Sequence, residues 1–157
     1  MIILAIDPGY DRMGLAVIQK ESGSKETLLF STCVTTSKKD EHSNRLKTIK
    51  EAIESAIQEY SPTHLAIETL FFSTNRKTAM KVAESRGVII VTGATHSLII
   101  KEYSPAQIKI AITGHGGSDK KQMMNMVPKL ISMPEKKALD DEYDAIAVGL
   151  TCAAIER

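Results

Sequence analysis

Four carboxylates in three distant segments have the types and settings to hold a hard cation. Asp7 closes the apolar run that begins Ile2-Ile3-Leu4, Glu68 closes Leu65-Ala66-Ile67, and Asp141 and Asp144 stand near the start of the last apolar segment. Carboxylate oxygens, with no Cys or His beside them at zinc spacing, select Mg²⁺ or Mn²⁺. Like charges about 4 Å apart repel by roughly 4 kcal/mol at an effective dielectric near 20, so such a tetrad calls for cations. Two ions about 4 Å apart would activate a water and stabilise the leaving oxygen of an in-line phosphodiester displacement. The acids would then be ligands, and the metals would carry the chemistry.

The elements that must position these acids follow from the apolar pattern. Continuous short aliphatic runs read as buried strands, and a strand that stops on a carboxylate leaves the charge at the sheet edge where open α/β sheets bind ligands. Pro8-Gly9-Tyr10-Asp11 is a tight turn, residues 13–19 form a returning strand, Gly23-Ser24 turns again, and residues 27–35 form a third strand. Residues 42–60 are a helix with Leu46, Ile49, Ile53, Ile57 and Tyr60 on one stripe, stopped by Ser61-Pro62. The strand over 63–68 is then expected to lie parallel to the first, through a right-handed crossover. If the two are neighbours, Asp7 and Glu68 share one edge.

Residues 75–97 carry helical spacing at Met80, Ala83, Gly87, Val91 and Ala94, although Val88-Ile89-Ile90-Val91 alone could be a strand. The small residues at 83, 87 and 94 favour a helix that packs closely on another helix. Residues 98–103 give a fifth strand, and Ser104-Pro105-Ala106-Gln107 has the capping box and first-turn proline of a helix start. A glycine loop over 114–117 precedes a helix over 119–131, which Pro128 must kink or shorten. In the final helix, from about 141 to 155, Asp141, Asp144, Val148, Cys152 and Ile155 fall on one face at 3.6 residues per turn. That face is expected to point inward, leaving Asp140 and Glu142 in solvent. The expected fold is α/β and ribonuclease H-like: a mixed five-stranded sheet, a three-stranded antiparallel meander plus two parallel strands, flanked by helices.

A chain of 157 residues fits one domain, 1–157, with a full core. No apolar stretch is long enough to span a bilayer, and Asp7 interrupts the first run too early for a signal peptide. Cys33 and Cys152 lie far apart and read as reduced, partly buried thiols, so a cytoplasmic protein is expected. The net charge of +1 does not announce a nucleic-acid partner. The distribution says more, because Arg76-Lys77, Lys81, Arg86, Lys101, Lys109 and Lys120-Lys121 could form a phosphate-binding face around an acidic centre. His42, His64 and His96 carry no motif, while His115 in the glycine loop could reach a phosphate.

Several blocks in order resemble the RuvC Holliday junction resolvases: Ile6-Asp7-Pro8-Gly9 with Gly14, Ala66-Ile67-Glu68 followed by Phe71, and Asp141-x-x-Asp144-Ala145-x-Ala147. Arg86-Gly87-Val88, Glu102-Tyr103 and the glycine stretch leading to Ser118-x-Lys120 extend the resemblance from Met1 to about Cys152. It implies a homodimeric, Mg²⁺-dependent endonuclease that nicks four-way DNA junctions symmetrically, with Asp7, Glu68, Asp141 and Asp144 ligating two ions and Mn²⁺ able to substitute. Phe71 matches an aromatic that meets junction bases. Lys109 and Lys120 match basic residues near the scissile phosphate, and Arg76, Lys77 and Lys121 add candidate DNA contacts. Branch-migration proteins are candidate partners of such an enzyme.

Other readings are a broader branched-DNA endonuclease, a related nuclease acting on structured RNA, and a junction binder without catalysis. The loose Asp7-x-Gly9 and Gly14 pattern also occurs in actin-like kinases, but those need a second domain for which this chain has no room. The chain is less basic than expected for the RuvC family, and Pro128 falls inside a helix expected to be regular.

Overall fold

The computed structural model describes residues 1–70, 76–133 and 139–156. Phe71 lies outside the described residues, as do the side chains of Arg76 and Lys77.

The described elements run β1 (Ile2–Asp7), β2 (Arg12–Gln19), β3 (Glu26–Thr35), α1 (His42–Tyr60), β4 (His64–Glu68), α2 (Arg76–Thr95), β5 (Ile99–Tyr103), α3 (Pro105–Thr113), α4 (Lys120–Leu130), β6 (Ile131–Ser132) and α5 (Asp140–Ile155). The strands form one mixed sheet in the order β5-β4-β1-β2-β3-β6. β1, β2 and β3 make the antiparallel meander, while β4 lies parallel to β1 and β5 parallel to β4. This is the expected ribonuclease H-like arrangement with one correction: among the described residues the sheet has six strands, not five. The added strand, β6, pairs parallel with β3 through Glu26 opposite Ile131 and Thr27 opposite Ser132. Pro128 is accommodated inside α4, but the helix ends at Leu130, and the buried Ile131 continues as strand.

Alternation along the strands divides the core in two. Leu4, Ile6, Leu15, Val17, Leu65 and Ile67 face α1 and α2, where Ile49, Ile53 and Ile89 close the layer. Ile3, Ala5, Ala16, Ile18 and Ala66 face α3, α4 and α5. Because strand side chains alternate, Asp7 and Glu68 share the parity of Ala5 and Ala66 and point to the α5 side.

α5 crosses β1 and β2 closely because small residues meet there. A Cβ on Gly149 would lie 2.9 Å from Ala5 Cβ and 2.5 Å from Ile18 Cδ1. The same device seats α2 on the opposite face, where a Cβ on Gly93 would be 2.8 Å from Leu65 Cδ1. Sequence spacing also marks positions 83, 87 and 94 for close packing on another helix. Gly87 and Ala94 are exposed, with open space over Gly87.

Candidate active site

The site forms at the C-terminal edge of the central parallel pair. Ile6 pairs with Ile67 in the β1–β4 ladder, so the next residues, Asp7 and Glu68, emerge side by side. Asp7 is also opposite Gly14 in β2, and Gly14 supports the first turn of α5, where Asp141 stands. The four acids named from sequence are therefore brought into one electrostatic neighbourhood by β1, β4 and α5. Asp7 is pushed up from 3.8 to about 7, first by burial and then by the charges of Asp144, Glu68 and Asp141, against the lowering influence of Lys120. Burial, followed by the charge of Asp144, also raises Glu68, while Lys109 lowers it.

Basic residues answer this concentration of charge. Lys120 Nζ donates to Asp144 Oδ2 at 3.0 Å and lies 3.8 Å from Asp140 Oδ2. Its hydrogen bond to Asp144 outweighs desolvation and holds the ammonium above its ordinary pKa. Capping explains why Lys120 sits here: Asp119 accepts from Gln122 N at 2.8 Å, and the Gln122 side chain accepts from Asp119 N at 2.9 Å. That reciprocal pair starts α4 at the residue that faces α5. Ser104 and Gln107 make the same arrangement at the start of α3, which carries Lys109. Glu68, Lys109, Lys120 and Asp144 line one cavity of about 270 Å³, closed on its apolar side by Ile108, Met123 and Ala147. Lys121 is exposed on the first turn of α4 and does not line this cavity. His115 lies in the exposed loop between α3 and α4, where its carbonyl accepts from Ser118 Oγ at 2.8 Å.

Two details depart from the sequence reading. Glu142, expected in solvent, is 4% exposed; its Oε2 accepts from Ser31 Oγ at 2.5 Å and its Oε1 from Leu139 N at 3.2 Å. Asp140 is exposed as expected. Ile155, expected to face inward, is 49% exposed, whereas Val148 and Cys152 are buried. α5 rises about 24 Å over its length and β1 only about 20 Å, so the helix outruns the sheet it covers.

Sequence reasoning missed Arg12, whose guanidinium pairs with Asp141 Oδ2. The signal was present, because Arg12 opens a strand in which Gly14, Ala16 and Ile18 all face α5. Cys33 lies against the same carboxylate, with Sγ 3.7 Å from Asp141 Oδ2. Also missed was Arg45, a buried guanidinium 3.7 Å over the Tyr10 ring. It donates to Thr36 Oγ1 at 2.9 Å and the Tyr10 carbonyl at 3.3 Å, and pairs with Asp11. Arg45 thus braces the β1–β2 turn directly behind Asp7.

Among the described residues, no three acidic, histidine or cysteine side chains already converge on one ion-sized position. Arg12 and Lys120 instead take Asp141 and Asp144 as partners. The donor set nevertheless fits Mg²⁺: all-oxygen carboxylates, with Asp7 raised first by burial and then by the neighbouring acids, as expected where divalent charge is to be added.

A carboxylate cluster at this edge of this sheet defines a protein of the ribonuclease H-like class. The family model for crossover junction endodeoxyribonuclease RuvC matches residues 3–152. The chain is 42% identical to the RuvC of Thermosipho melanesiensis over 99% of its length and 98% of that protein. It is 39% identical to the RuvC of Heliobacterium modesticaldum, over 98% and 94% respectively. Among solved structures, T. thermophilus RuvC in complex with Holliday junction substrate superposes with a TM-score of 0.90 at 29% identity, covering 98% of this chain and 93% of that one. The yeast mitochondrial Holliday junction resolvase Ydc2 shares the fold, with a TM-score of 0.71 at 10% identity over 96% of this chain and 75% of its own. The chain belongs to the RuvC family of crossover junction endodeoxyribonucleases.

Proposed function

We propose that the protein is a metal-dependent endonuclease that resolves four-way DNA junctions by paired, symmetric phosphodiester hydrolysis. The observation that carries this reading is the meeting of Asp7 and Glu68, on adjacent strand ends, with Asp141 and Asp144 on α5, beside the Lys109 and Lys120 wall.

Asp7, Glu68, Asp141 and Asp144 would hold two Mg²⁺ ions, which when bound supply an activated water and charge stabilisation for the leaving oxygen. Rigid strand ends fix Asp7 and Glu68, and their burial makes the site a place where added positive charge is favoured. Lys120 and Lys109 offset phosphate charge at the cavity wall and hold the scissile group against the acids. Arg12 and Lys120 pair with Asp141 and Asp144 and would offset the charge of these two acids in the metal-free protein. Lys121, Arg76, Lys77 and Phe71 are proposed DNA contacts beyond this cavity.

Two cuts related by a two-fold axis require two sites, and therefore an isologous homodimer. α2 offers the face for it: Met80 and Val91 are 68% and 60% exposed, and the space over Gly87 is open. No helix of the described residues is long and apolar enough to cross a membrane, and a cytoplasmic, DNA-bound role is proposed, with branch-migration proteins as further partners.

The test offers an end-labelled immobile four-way junction, a three-way junction, a plain duplex and a structured RNA to the protein in Mg²⁺ and in EDTA. Metal-dependent symmetric nicks confined to the four-way junction are expected. Equal cutting of every branched DNA would widen the substrate, while cutting of the RNA alone, or binding without nicks, would overturn the reading.

A further inference from the structure

The proposed dimer face and the acidic site lie on opposite sides of the sheet, because α2 packs with the Leu4–Ile67 layer and α5 with the Ala5–Ala66 layer. One side chain crosses between them. Arg86 projects from the middle of α2 to the end of β4, where its Nε donates to the backbone carbonyl of Glu68 at 3.2 Å. Its terminal nitrogen pairs with Glu102 on β5. The Arg86 side chain is 19% exposed, so its bond to the carbonyl is sheltered, while the Glu102 side chain, 48% exposed, meets the guanidinium from the solvent side.

The carbonyl that Arg86 engages is the last of β4, at the end of the β4–β5 register, which closes with Glu68 opposite Tyr103. On its far side the chain is tied once more, by Thr69 N donating to the Tyr103 carbonyl at 2.8 Å. Glu68 is therefore held on both sides of its own peptide: by the strand ladder through Thr69, and by a forked cation through its carbonyl. A planar guanidinium can serve a carbonyl and a carboxylate together with fixed geometry; a lysine ammonium is one point charge on a flexible stem.

We infer that Arg86, locked by Glu102, is a positioning residue that sets the direction of the Glu68 carboxylate toward its ions and ties that direction to the seating of α2. The inference rests on the metal-site reading above. Groups that orient metal ligands from behind tune affinity without touching the metal. Through Arg86, a shift of α2 on pairing with a second copy would pass to the Glu68 peptide.

The experiment measures Mn²⁺ binding to the intact protein by electron paramagnetic resonance of the free ion, alongside melting temperature in EDTA and junction affinity in EDTA. The variants are Arg86→Lys, Arg86→Ala, Glu102→Gln and Glu68→Gln. Arg86→Lys is expected to melt close to the unaltered protein and bind the junction as well, while Mn²⁺ affinity falls about tenfold, with a smaller fall for Glu102→Gln. Arg86→Ala is expected to lose at least as much. A folded Arg86→Lys with unchanged Mn²⁺ affinity, beside a Glu68→Gln that has lost it, would overturn the role of Arg86 alone. A Glu68→Gln protein that binds Mn²⁺ as the unaltered protein does would overturn the metal site and this role with it.

Discussion

Gly14 stands directly under the backbone carbonyl of Asp141: a Cβ at position 14 would overlap that oxygen and come within 3.2 Å of Ala145 Cβ. Since Gly14 is also the ladder partner of Asp7, the absence of one side chain sets how near the α5 acid comes to the β1 acid. The obstructing atoms are helix backbone, which cannot rotate away as a side chain could. Gly14→Ala is expected to lift the first turn of α5, costing about 1–3 kcal/mol of stability, as overpacking of a filled core does. Urea denaturation would measure this, and cleavage should fall by more than the loss of folded protein explains.

Protonation of Asp7 makes the metal-free protein pH-sensitive. Its carboxyl titrates near 7, against 3.8 ordinarily, because of burial and then the neighbouring acids. A carboxyl whose pKa is raised on folding favours the folded state while protonated. That contribution is complete below about 3.8 and is lost as pH rises through about 7. In EDTA, the melting temperature of the unaltered protein is expected to drop across this window relative to Asp7→Asn, which has nothing to titrate there. Glu68 shifts the same way and adds to the slope retained by the variant. Parallel melting curves for the two proteins at every pH would refute the assignment to Asp7.

Asp7→Asn and Glu68→Gln are each expected to abolish nicking in Mg²⁺ while leaving junction affinity in EDTA intact. Both side chains serve the ions rather than the DNA in the proposed mechanism. Gel-shift and cleavage assays on the same protein preparation separate the two effects. Loss of binding without a specific loss of chemistry would contradict their role as ligands.

Lys120 is bonded to one of these acids, Asp144, at 3.0 Å, and its removal leaves that carboxylate without its cation. Lys120→Met is expected to lower single-turnover cleavage by about 10²-fold, the scale of losing one aligned electrostatic group. Lys121→Met, one residue on but outside the cavity, should instead weaken junction binding modestly and reduce its salt dependence by about one ion. Equal effects from the two substitutions would show that position 120 acts only through bulk charge.

Glu142 fastens the start of α5 between the two α5 acids. Glu142→Ala removes the acceptor for Ser31 Oγ and Leu139 N in a buried setting and should cost about 1–3 kcal/mol. Combined with Ser31→Ala, the loss should be less than the sum, because both changes break the same bond. Strict additivity in chemical denaturation would show the contact to be energetically idle.

The residues that carry the chemistry and the elements beneath them were legible in the chain itself. Helix α1 runs over the expected residues 42–60, and the capping box at Ser104–Gln107 starts α3 where it should. Asp7 and Glu68 end strands, as aliphatic runs stopped by a charge require. These signals are local: periodicity, caps and turns act within one or two helical turns of the residue that shows them. Tertiary structure decided the rest. β6 is two residues long and exists because the β3 edge is there to receive Ile131 and Ser132, which no local pattern announces. Glu142 is buried, with Ser31 of β3 donating to it, and Asp140 is exposed, a difference between neighbours that no local pattern announces. Arg12 and Arg86 became part of the site by reaching Asp141 and the Glu68 carbonyl across long sequence separations. The reason is common to all three: a side chain's partner is set by packing between elements, and sequence spacing fixes the direction it leaves the backbone but not what it meets.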